Sequence, residues 1–191
     1  KSDLSQLGID SDRIVVIPEA HSPIFRPQKK ERVEQIKRKY GIRAKYILAV
    51  GVTHRKNTKR IIEAFKSIRE KNSLELVIIG FPFMKIEPSA GVKLIGHVDF
   101  KDLPALYSGS EVLVYPSLYE GFGLPILEAF ACKTPVVTSS IGSLEEVAGD
   151  AAILVNPKDA RSIKEGIIKA FTDSENLVQK GVKRVKQYSW L

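Results

Sequence analysis

Residues 111–132 read EVLVYPSLYEGFGLPILEAFAC and contain the pattern of a strand, a turn and a helix. The run 111–115, apolar after its first residue, predicts a buried strand. The turn that follows contains Gly121 and Gly123, and Pro125 suits the first turn of a helix predicted over 125–132. This unit predicts an α/β fold.

The same alternation extends along the whole chain. Short β-branched runs predict further strands over 13–17, 46–50, 74–79, 92–95, 135–138 and 152–155. Segments of helical periodicity lie at 29–40, 57–71, 101–108, 143–148, 160–171 and from 174. Because most of the strands are solidly apolar, we predict a Rossmann-like, doubly wound parallel sheet with helices on both faces. A single domain over residues 1–191 accommodates it, after an irregular, proline-rich lead-in over residues 1–28.

Composition excludes several classes of protein. The 191 residues are 43% hydrophobic and 27% charged, which is typical of a globular domain with its own core. No apolar run approaches the roughly 20 residues of a membrane-spanning helix. A single cysteine, Cys132, excludes an internal disulfide and indicates a reducing compartment, so we expect a cytoplasmic protein and a buried thiol. His21 and His54 have no partners at metal-ligand spacing, and no bound metal is predicted.

Positive charge is concentrated in one stretch of the chain. The net charge is +8, and residues 26–60 contain thirteen Lys or Arg residues against two acids, Glu31 and Glu34. This stretch is compatible with four explanations: a nucleic acid partner, an anionic membrane, an anionic small molecule, or a helix surface that is merely solvated. No aromatic box or zinc-finger spacing accompanies it, which argues against nucleic acid as the partner.

The turn within residues 117–128 has the features of an anion site. Turns from strand to helix lie at the carboxyl edge of such a sheet, where ligands bind. Gly121 and Gly123 let the backbone approach a ligand, free N–H groups at the helix start suit a phosphate, and Glu120 and Glu128 suit hydroxyl groups. The alternative is a tight turn with two surface glutamates. The turn lacks a dinucleotide fingerprint and a P-loop, which disfavours dehydrogenases and P-loop NTPases.

A second candidate anion site is the turn over residues 54–57. Arg55 offers a planar fork of donors and Lys56 a point charge, a combination suited to a diphosphate. Asn57 or Thr58 is predicted to cap the helix that follows. Cations at a helix N-terminus oppose the helix dipole, so their presence there favours a bound anion.

Together these motifs resemble a known family, the family 4 glycosyltransferases of the GT-B fold, and specifically their C-terminal half. These retaining enzymes include mannosyltransferases, sucrose synthases and bacterial glycogen synthases. The resemblance covers nearly the whole chain, and the pair Glu120 and Glu128 is its most specific part. It rests on residues 51–57, Ile62-x-Ala64-Phe65, Gly96-x-Val98, Leu103-x-x-Leu106-Tyr107, Pro116-Ser117-x-x-Glu120-Gly-Phe-Gly-Leu-Pro-x-x-Glu128-Ala129 and Pro135-Val-Val.

The resemblance implies a nucleotide-sugar donor site. By analogy, Glu120 lies beside the donor sugar as the catalytic residue, and Glu128 holds the ribose hydroxyls. Many members carry an Arg directly after the glycine equivalent to Gly51, where this chain has Val52. The other implied donor-binding residues are Arg55 and Lys56 at the diphosphate, Gly121, Phe122, Gly123 and Leu124 in the glycine turn, and Val98 at the base.

The implied function is that of the donor-binding half of a retaining glycosyltransferase, a hexosyltransferase such as a mannosyltransferase. The implied partner is a GDP- or UDP-linked sugar, with no further cofactor and no metal. The acceptor-binding domain of such enzymes is N-terminal and absent from these residues, so we expect the chain alone to be inactive. The alternative is a non-catalytic module that binds a nucleotide or nucleic acid through its basic surface. The positive charge of residues 26–60 is also compatible with peripheral contact with an anionic membrane.

Overall fold

A computed structural model describes residues 5–69 and 74–190 of the chain. These residues form one parallel sheet in the order β3-β2-β1-β4-β5-β6. The predicted doubly wound, Rossmann-like sheet is thereby confirmed. Its strands are β1 (Lys45–Val52), β2 (Leu74–Pro82), β3 (Val92–Gly96), β4 (Val112–Tyr115), β5 (Val136–Ser139) and β6 (Ile153–Val155).

Helices connect the strands and cover both faces of the sheet. They are α1 (Lys30–Lys39), α2 (Thr58–Arg69), α3 (Leu103–Ser108), α4 (Leu124–Ala131), α5 (Gly142–Ala148), α6 (Ala160–Thr172) and α7 (Ser174–Val185). Short 3-10 helices lie at Ser11–Arg13, Phe100–Asp102 and Gly149–Ala151. The predicted end of the second helix, at residues 70–71, lies outside the described residues.

One predicted strand is wrong. In the described part of the chain, residues 14–17 pair with no strand, and Arg13 ends a 3-10 helix. Val15, Val16 and Ile17 are 79%, 65% and 78% exposed. A β-branched run favours extended backbone, but a strand also needs a neighbour for its N–H and C=O groups. This lead-in has none within the sheet.

Two apolar layers pack against the sheet, one on each face. One layer is built on α2 and α6, with Ile61, Phe65 and Ile163 at 0–2% exposure. The opposite layer includes residues of α1, α3, α4 and α5, among them Phe130. Cys132 lies in this second layer, and burial raises the pKa of its thiol to about 12. The expectation of a buried thiol is confirmed.

The strand order reverses between β1 and β4, and this reversal positions the site. After β1 the chain passes through α2 on one face to β2, and after β4 it passes through α4 on the other face to β5. The turns that leave β1 and β4 therefore diverge and leave a crevice at the carboxyl edge of the sheet. The Arg55-Lys56 turn and the glycine turn border this crevice.

Candidate functional site

Hydrogen bonds join the turn after β1 to the turn after β4. The N–H of Leu118 donates to the carbonyl of Arg55 over 2.9 Å. The side-chain amide of Asn57 donates to the carbonyls of Pro116, at 3.0 Å, and Pro157, at 2.5 Å. The loops that follow β1, β4 and β6 are therefore fastened together at Asn57.

The side chain of Asn57 makes these bonds between loops instead of bonding to the first N–H groups of α2. The φ of this residue, 62°, lies in the left-handed region, where asparagine is better tolerated than most residues, and its Oδ1 accepts from Arg60 over 3.0 Å. The Oγ1 of Thr58 accepts from the N–H of Thr53 over 3.2 Å. Asn57 does stand at the predicted N-cap position, because its carbonyl accepts the first bond of α2 from the N–H of Ile61 over 3.1 Å. Among the described residues, its side chain forms no bond with an N–H group of that helix. The amide of Asn57 is used between loops, a role that spacing along one helix cannot reveal.

Glu120 contacts both of the predicted cations. The Nζ of Lys56 lies 2.7 Å from Oε1 of Glu120, and the guanidinium of Arg55 contacts Oε2. The side chains of Glu120 and Lys56 are only 9% and 14% exposed, against 48% for Arg55. Burial alone would raise the pKa of Glu120, but the hydrogen bond and charge of Lys56 hold it below its ordinary value. Burial lowers the pKa of Lys56, and Glu120 opposes this shift.

Tyr115, the last residue of β4, supports Lys56. Its hydroxyl is hydrogen-bonded to the Nζ of Lys56, which also lies 4.4 Å from the centroid of the phenol ring. Burial raises the pKa of Tyr115, so the phenol is neutral. Gly51 makes room for the lysine stem, because a Cβ at this position would lie 2.7 Å from Cγ of Lys56. Lys56 is therefore held on three sides.

The glycine turn presents backbone donors at the start of α4. The φ of Gly123 is 124°, and a Cβ there would lie 2.9 Å from Cδ2 of Leu144. Among the described residues, no acceptor is bonded to the N–H groups of Phe122, Gly123 and Leu124. The Phe122 ring packs edge-on against Tyr188, with centroids 5.8 Å apart. Three unbonded N–H donors at a helix start are suited to the predicted anion.

Lys56 of the Arg55-Lys56 turn and the glycine turn line one open cavity of about 530 Å³. A Cβ at Gly121 would meet no heavy atom of the described residues within 4 Å, so this part of the turn borders open space. Most of the lining residues were predicted from the sequence, whereas Ile17, Glu19 and Tyr115 were not. The lining residues are Ile17, Glu19, Lys56, Tyr115, Glu120 and residues 121–125.

The sequence indicates a role in the site for one of these three residues more clearly than for the other two. Tyr115 stands at the end of the strand that leads into the glycine turn, and that position could have identified it. Ile17 and Glu19 belong to the lead-in, which has no periodic pattern. Their approach to the glycine turn depends on a contact between segments about a hundred residues apart, which sequence spacing does not encode.

Glu128 lies apart from this cluster, in the middle of α4. Its Oε2 accepts a hydrogen bond of 2.7 Å from the hydroxyl of Tyr107, and no described residue is bonded to Oε1. Burial raises the pKa of Glu128, although the hydrogen bond from Tyr107 opposes the shift. The structure therefore leaves one carboxylate oxygen of Glu128 for a ligand without bringing it into contact with Glu120.

The side chain of Val98, assigned to the base by resemblance, is 8% exposed and lies in the apolar layer on the α4 face. Only the backbone of Val98 is therefore suited to contact a ligand. The assignment of the 96–98 turn to the base stays a prediction, and it concerns backbone groups and the neighbouring exposed side chains.

Part of the basic stretch has a structural role. Asp102 is 1% exposed, and its carboxylate lies 2.6 Å from Nη2 of Arg32 and 2.6 Å from Nζ of Lys39. The hydroxyl of Tyr40 donates to the same carboxylate over 3.0 Å. These contacts attach α1 to the start of α3, so Arg32 and Lys39 already have an anionic partner. For these two residues the structure shows an ion pair with a buried carboxylate, whereas the sequence offered a bound anion or a solvated helix surface.

Residues 5–69 and 74–190 lack two other kinds of feature. No helix in these ranges is long and apolar enough to cross a membrane. No three His, Cys, Asp or Glu side chains come together there in an arrangement that suits a metal ion. The prediction that function needs no metal remains a prediction.

The sheet order and the crevice at its carboxyl edge define an α/β domain of the Rossmann type, the fold also found in solved GT-B glycosyltransferases. The family model described as "Glycosyl transferases group 1" matches residues 32–188. The chain belongs to this family.

Known proteins agree with this assignment. The chain is 32% identical, over 94% of its length and 52% of the relative, to the "O-antigen chain mannosyltransferase B" of Escherichia coli. It is 25% identical, with a TM-score of 0.71, to the C-terminal domain of a glycosyl transferase group 1 protein (LpcC) from Francisella tularensis, covering 86% of this chain and 95% of that one. It shares a fold with Anabaena Alr3699/HepE, solved in complex with UDP-glucose, at a TM-score of 0.82 and 16% identity, covering 98% and 56% of the two chains. The chain spans about half the length of the first curated relative.

Proposed function

We propose that this chain is the donor-binding half of a retaining glycosyltransferase that takes its sugar from a nucleoside diphosphate. The observation that carries the proposal is the crevice between β1 and β4. There Lys56, Glu120 and three free backbone N–H groups border one cavity, and Arg55 contacts the carboxylate of Glu120. Two cations and a helix start suit a diphosphate, and a carboxylate beside them suits sugar hydroxyls.

These groups have distinct parts in the proposed chemistry. Breaking the bond between the sugar and the diphosphate leaves negative charge on the diphosphate and positive charge on the sugar ring. Arg55, Lys56 and the backbone donors would stabilise the departing diphosphate. Glu120 would bind a sugar hydroxyl and offset the positive charge on the ring. Glu120 is paired with both cations, and Glu19 is the other carboxylate that lines the cavity. We assign the chain binding and charge stabilisation and name no nucleophile.

The nucleotide, the sugar and the acceptor follow from relatives alone. The matched E. coli protein is named as a mannosyltransferase and the Anabaena structure holds UDP-glucose, so we propose a GDP- or UDP-linked hexose, with mannose as the first candidate. We further propose that a second domain binds the acceptor. Positioning the acceptor in line with the donor accounts for much of the rate enhancement in such reactions. We therefore expect the 191-residue chain alone not to catalyse repeated sugar transfer.

A panel of ligands tests the donor site directly. Thermal shift and ligand-detected NMR would compare pyrophosphate, UDP, GDP, ADP and the corresponding nucleotide sugars. We expect pyrophosphate to bind weakly, one nucleoside diphosphate more tightly, and its sugar conjugate to bind at the same site in competition. The absence of binding by every diphosphate in the panel would contradict the proposal.

Dependence on salt distinguishes this proposal from a basic module for nucleic acid. Binding of a nucleic acid backbone falls steeply with ionic strength because many counterions are released. A nucleotide held by two cations and by hydrogen bonds to its ribose should lose much less affinity over the same range of salt. A steep loss of affinity for duplex nucleic acid with rising salt, together with no binding of any mononucleotide, would favour the basic module.

A further inference from the structure

Two serines after β4 and its glycine turn hold the backbone of the segment that contains Glu120. The hydroxyl of Ser139, the last residue of β5, donates to the carbonyl of Ser117 over 2.5 Å. The hydroxyl of Ser143, in the first turn of α5, donates to the carbonyl of Glu120 over 2.9 Å. Both ends of residues 117–120 are therefore attached to the connection between β5 and α5.

Arg55 holds the same segment from the side of β1. Its carbonyl accepts from the N–H of Leu118 over 2.9 Å, and its guanidinium donates to the carbonyl of Tyr119 over 3.2 Å. The guanidinium also contacts the carboxylate of Glu120. Because the proposed donor site uses this guanidinium for the diphosphate, these two side-chain contacts of Arg55 are open to exchange when the ligand binds.

The serine bonds involve no group that is proposed to bind the diphosphate. Ser117 and Ser139 are both 0% exposed, so the bond between them lies in a low-dielectric interior, where hydrogen bonds are stronger than in water. Leu144, the residue after Ser143, is 1% exposed and belongs to the apolar layer on the α4 face. Burial of Leu144 fixes the start of α5 and, with it, the donor to Glu120. We therefore expect the serine bonds to persist when the cations exchange partners.

A fixed backbone limits the positions that the carboxylate of Glu120 can reach. Once the cations bind a diphosphate, their ion pairs no longer restrain this side chain. Only the rotatable bonds of the side chain then separate the carboxylate from the backbone that Ser143 holds. Binding and catalytic groups need their geometry held to within about 0.5 Å, and supporting hydrogen bonds provide this precision.

From these contacts we infer that Ser143 is a positioning residue that keeps the carboxylate of Glu120 directed at the donor sugar. The inference rests on the proposed function, in which Glu120 binds a sugar hydroxyl. Ser143 is not among the described residues that line the cavity, so it acts through the carbonyl of Glu120. Loss of its hydroxyl should therefore affect recognition of the sugar and leave recognition of the diphosphate unchanged.

Ser140 provides a matched control on the same connection. Its hydroxyl donates to the carbonyl of Val155 over 3.2 Å, and its N–H donates to the same oxygen over 3.0 Å. In the described part of the chain, the Ser140 side chain forms no bond with residues 117–120. A general loosening of the connection after β5 would make the alanine variants of Ser140 and Ser143 behave alike.

The experiment measures two affinities in each variant by calorimetry. One probe is UDP, GDP or ADP, whichever binds best, and the other is the hexose conjugate of that nucleotide. We expect Ser143→Ala to weaken the conjugate about threefold to tenfold, as for the loss of one hydrogen bond, and to change the nucleoside diphosphate less than about twofold. Ser143→Thr, which keeps a hydroxyl, should recover most of the loss. Ser140→Ala should retain both affinities.

A second background separates positioning from a structural effect. Glu120→Ala removes the carboxylate that Ser143 is inferred to position, so adding Ser143→Ala to this variant should weaken the conjugate no further. A loss that reaches the ligand by another route would instead add to the effect of Glu120→Ala. The melting temperature of every variant, measured alongside, establishes that it is folded during the titration.

The outcomes separate the inference from the proposed function. The positioning role is overturned if Ser143→Ala leaves the affinity for the conjugate unchanged, weakens both probes equally or does not fold. It is also overturned if Ser140→Ala gives the same loss, or if Ser143→Ala adds a further loss to Glu120→Ala. Each of these results leaves the diphosphate site standing. Full affinity for the conjugate in Glu120→Ala would remove Glu120 from the sugar and Ser143 with it, and binding of neither probe by the unmodified chain would remove the whole donor site.

Discussion

The Nζ of Lys56 lies 2.7 Å from Oε1 of Glu120, so a cation predicted to hold a diphosphate already holds a carboxylate. Arg55 contacts the other oxygen of the same group. If both cations bind a diphosphate as proposed, we expect the diphosphate to replace Glu120 as their partner. The exchange would release Glu120 for the sugar at the moment when the phosphates arrive.

Replacing the internal anion tests this exchange. We expect Glu120→Gln to bind pyrophosphate about fivefold more tightly, because the cations no longer have a charged competitor, a gain of about 1 kcal/mol. In the complete enzyme the same substitution should lower transfer at least tenfold, about 1.4 kcal/mol or more, because the sugar loses its charged partner. Calorimetry and steady-state rates measure the two effects.

Glu19 serves as the control for this experiment. It lines the same cavity but forms no ion pair with any residue in the described ranges. Glu19→Gln removes the same charge and should change pyrophosphate affinity less than Glu120→Gln does. Equal gains from both substitutions would show a general field effect and would argue against an exchange of partners.

The double substitution of Arg55 and Lys56 by Ala should weaken nucleoside diphosphate binding by about 2 to 4 kcal/mol, because two charge-assisted contacts are lost. Lys59→Ala removes an exposed cation from the first turn of α2, which follows the Arg55-Lys56 turn, and is the control. Titration of UDP and GDP at fixed ionic strength provides the measurement. Unaltered affinity in the double variant would remove both residues from the site.

Tyr115→Phe tests whether the phenol positions Lys56. The substitution keeps the ring that lies 4.4 Å from Nζ and removes only the hydroxyl. We expect pyrophosphate affinity to fall about threefold to tenfold, the loss of one hydrogen bond of about 1 kcal/mol, with little change in melting temperature. Tyr119→Phe alters a 72% exposed phenol on the neighbouring turn and should change neither quantity. Equal effects of the two substitutions would count against the positioning role.

Glu128→Gln should separate stability from binding. Burial raises the pKa of Glu128 in the folded chain, so the folded state holds this proton more tightly than the unfolded state. Stability from this group is therefore present at low pH and is lost as the pH rises through the raised pKa. The Gln variant should melt at a higher temperature than the unmodified chain at pH 7, and the difference should narrow as the pH falls below the ordinary pKa of about 4.3.

The same Gln variant should bind ribonucleotides more weakly by about 1.5 to 3 kcal/mol, the range for hydrogen bonds to a charged group. It should also lose the preference for a ribonucleotide over the 2′-deoxyribonucleotide. Calorimetry with both sugars checks this result. A variant that melts higher and keeps full discrimination between the two sugars would exclude Glu128 from contact with the ribose.

Gly121 and Gly123 form a matched pair for the glycine turn. Gly123→Ala should destabilise the chain by about 1 to 3 kcal/mol, because its φ is 124° and its Cβ would press on Leu144. Gly121→Ala meets open space and should leave the free energy of unfolding within about 0.5 kcal/mol. It should nevertheless weaken binding of a nucleotide sugar, because its methyl group enters the cavity. Denaturant unfolding and titration distinguish the two glycines.

Local patterns predicted most of the fold. The apolar runs located all six strands of the sheet to within a few residues, because strands covered on both faces are marked by composition alone. The one false strand, residues 13–17, has the same composition but lacks a neighbour. Pairing depends on the rest of the chain, and a local pattern does not contain it.

The candidate site was predicted in its parts but not in its contacts. Topology placed the turns of Arg55 and Glu120 at one edge of the sheet. The ion pair between them joins residues 65 positions apart, which no local spacing reveals. The bonds that the Asn57 side chain makes to other loops were not predicted for the same reason, because Pro116 and Pro157 are distant in sequence.

The bonds of Asn57 connect the loop after β6 to the proposed donor site, although no residue of this loop lines the cavity. Pro157 lies a hundred positions along the chain from Asn57 and contributes only a carbonyl oxygen. Asn57 directly follows the two cations, so a shift of that carbonyl would move Arg55 and Lys56 relative to the glycine turn. Relatives that share every donor-contacting residue are therefore expected to differ in donor affinity through the sequence of this remote loop. A donor site transplanted into another scaffold should bring the loop with it.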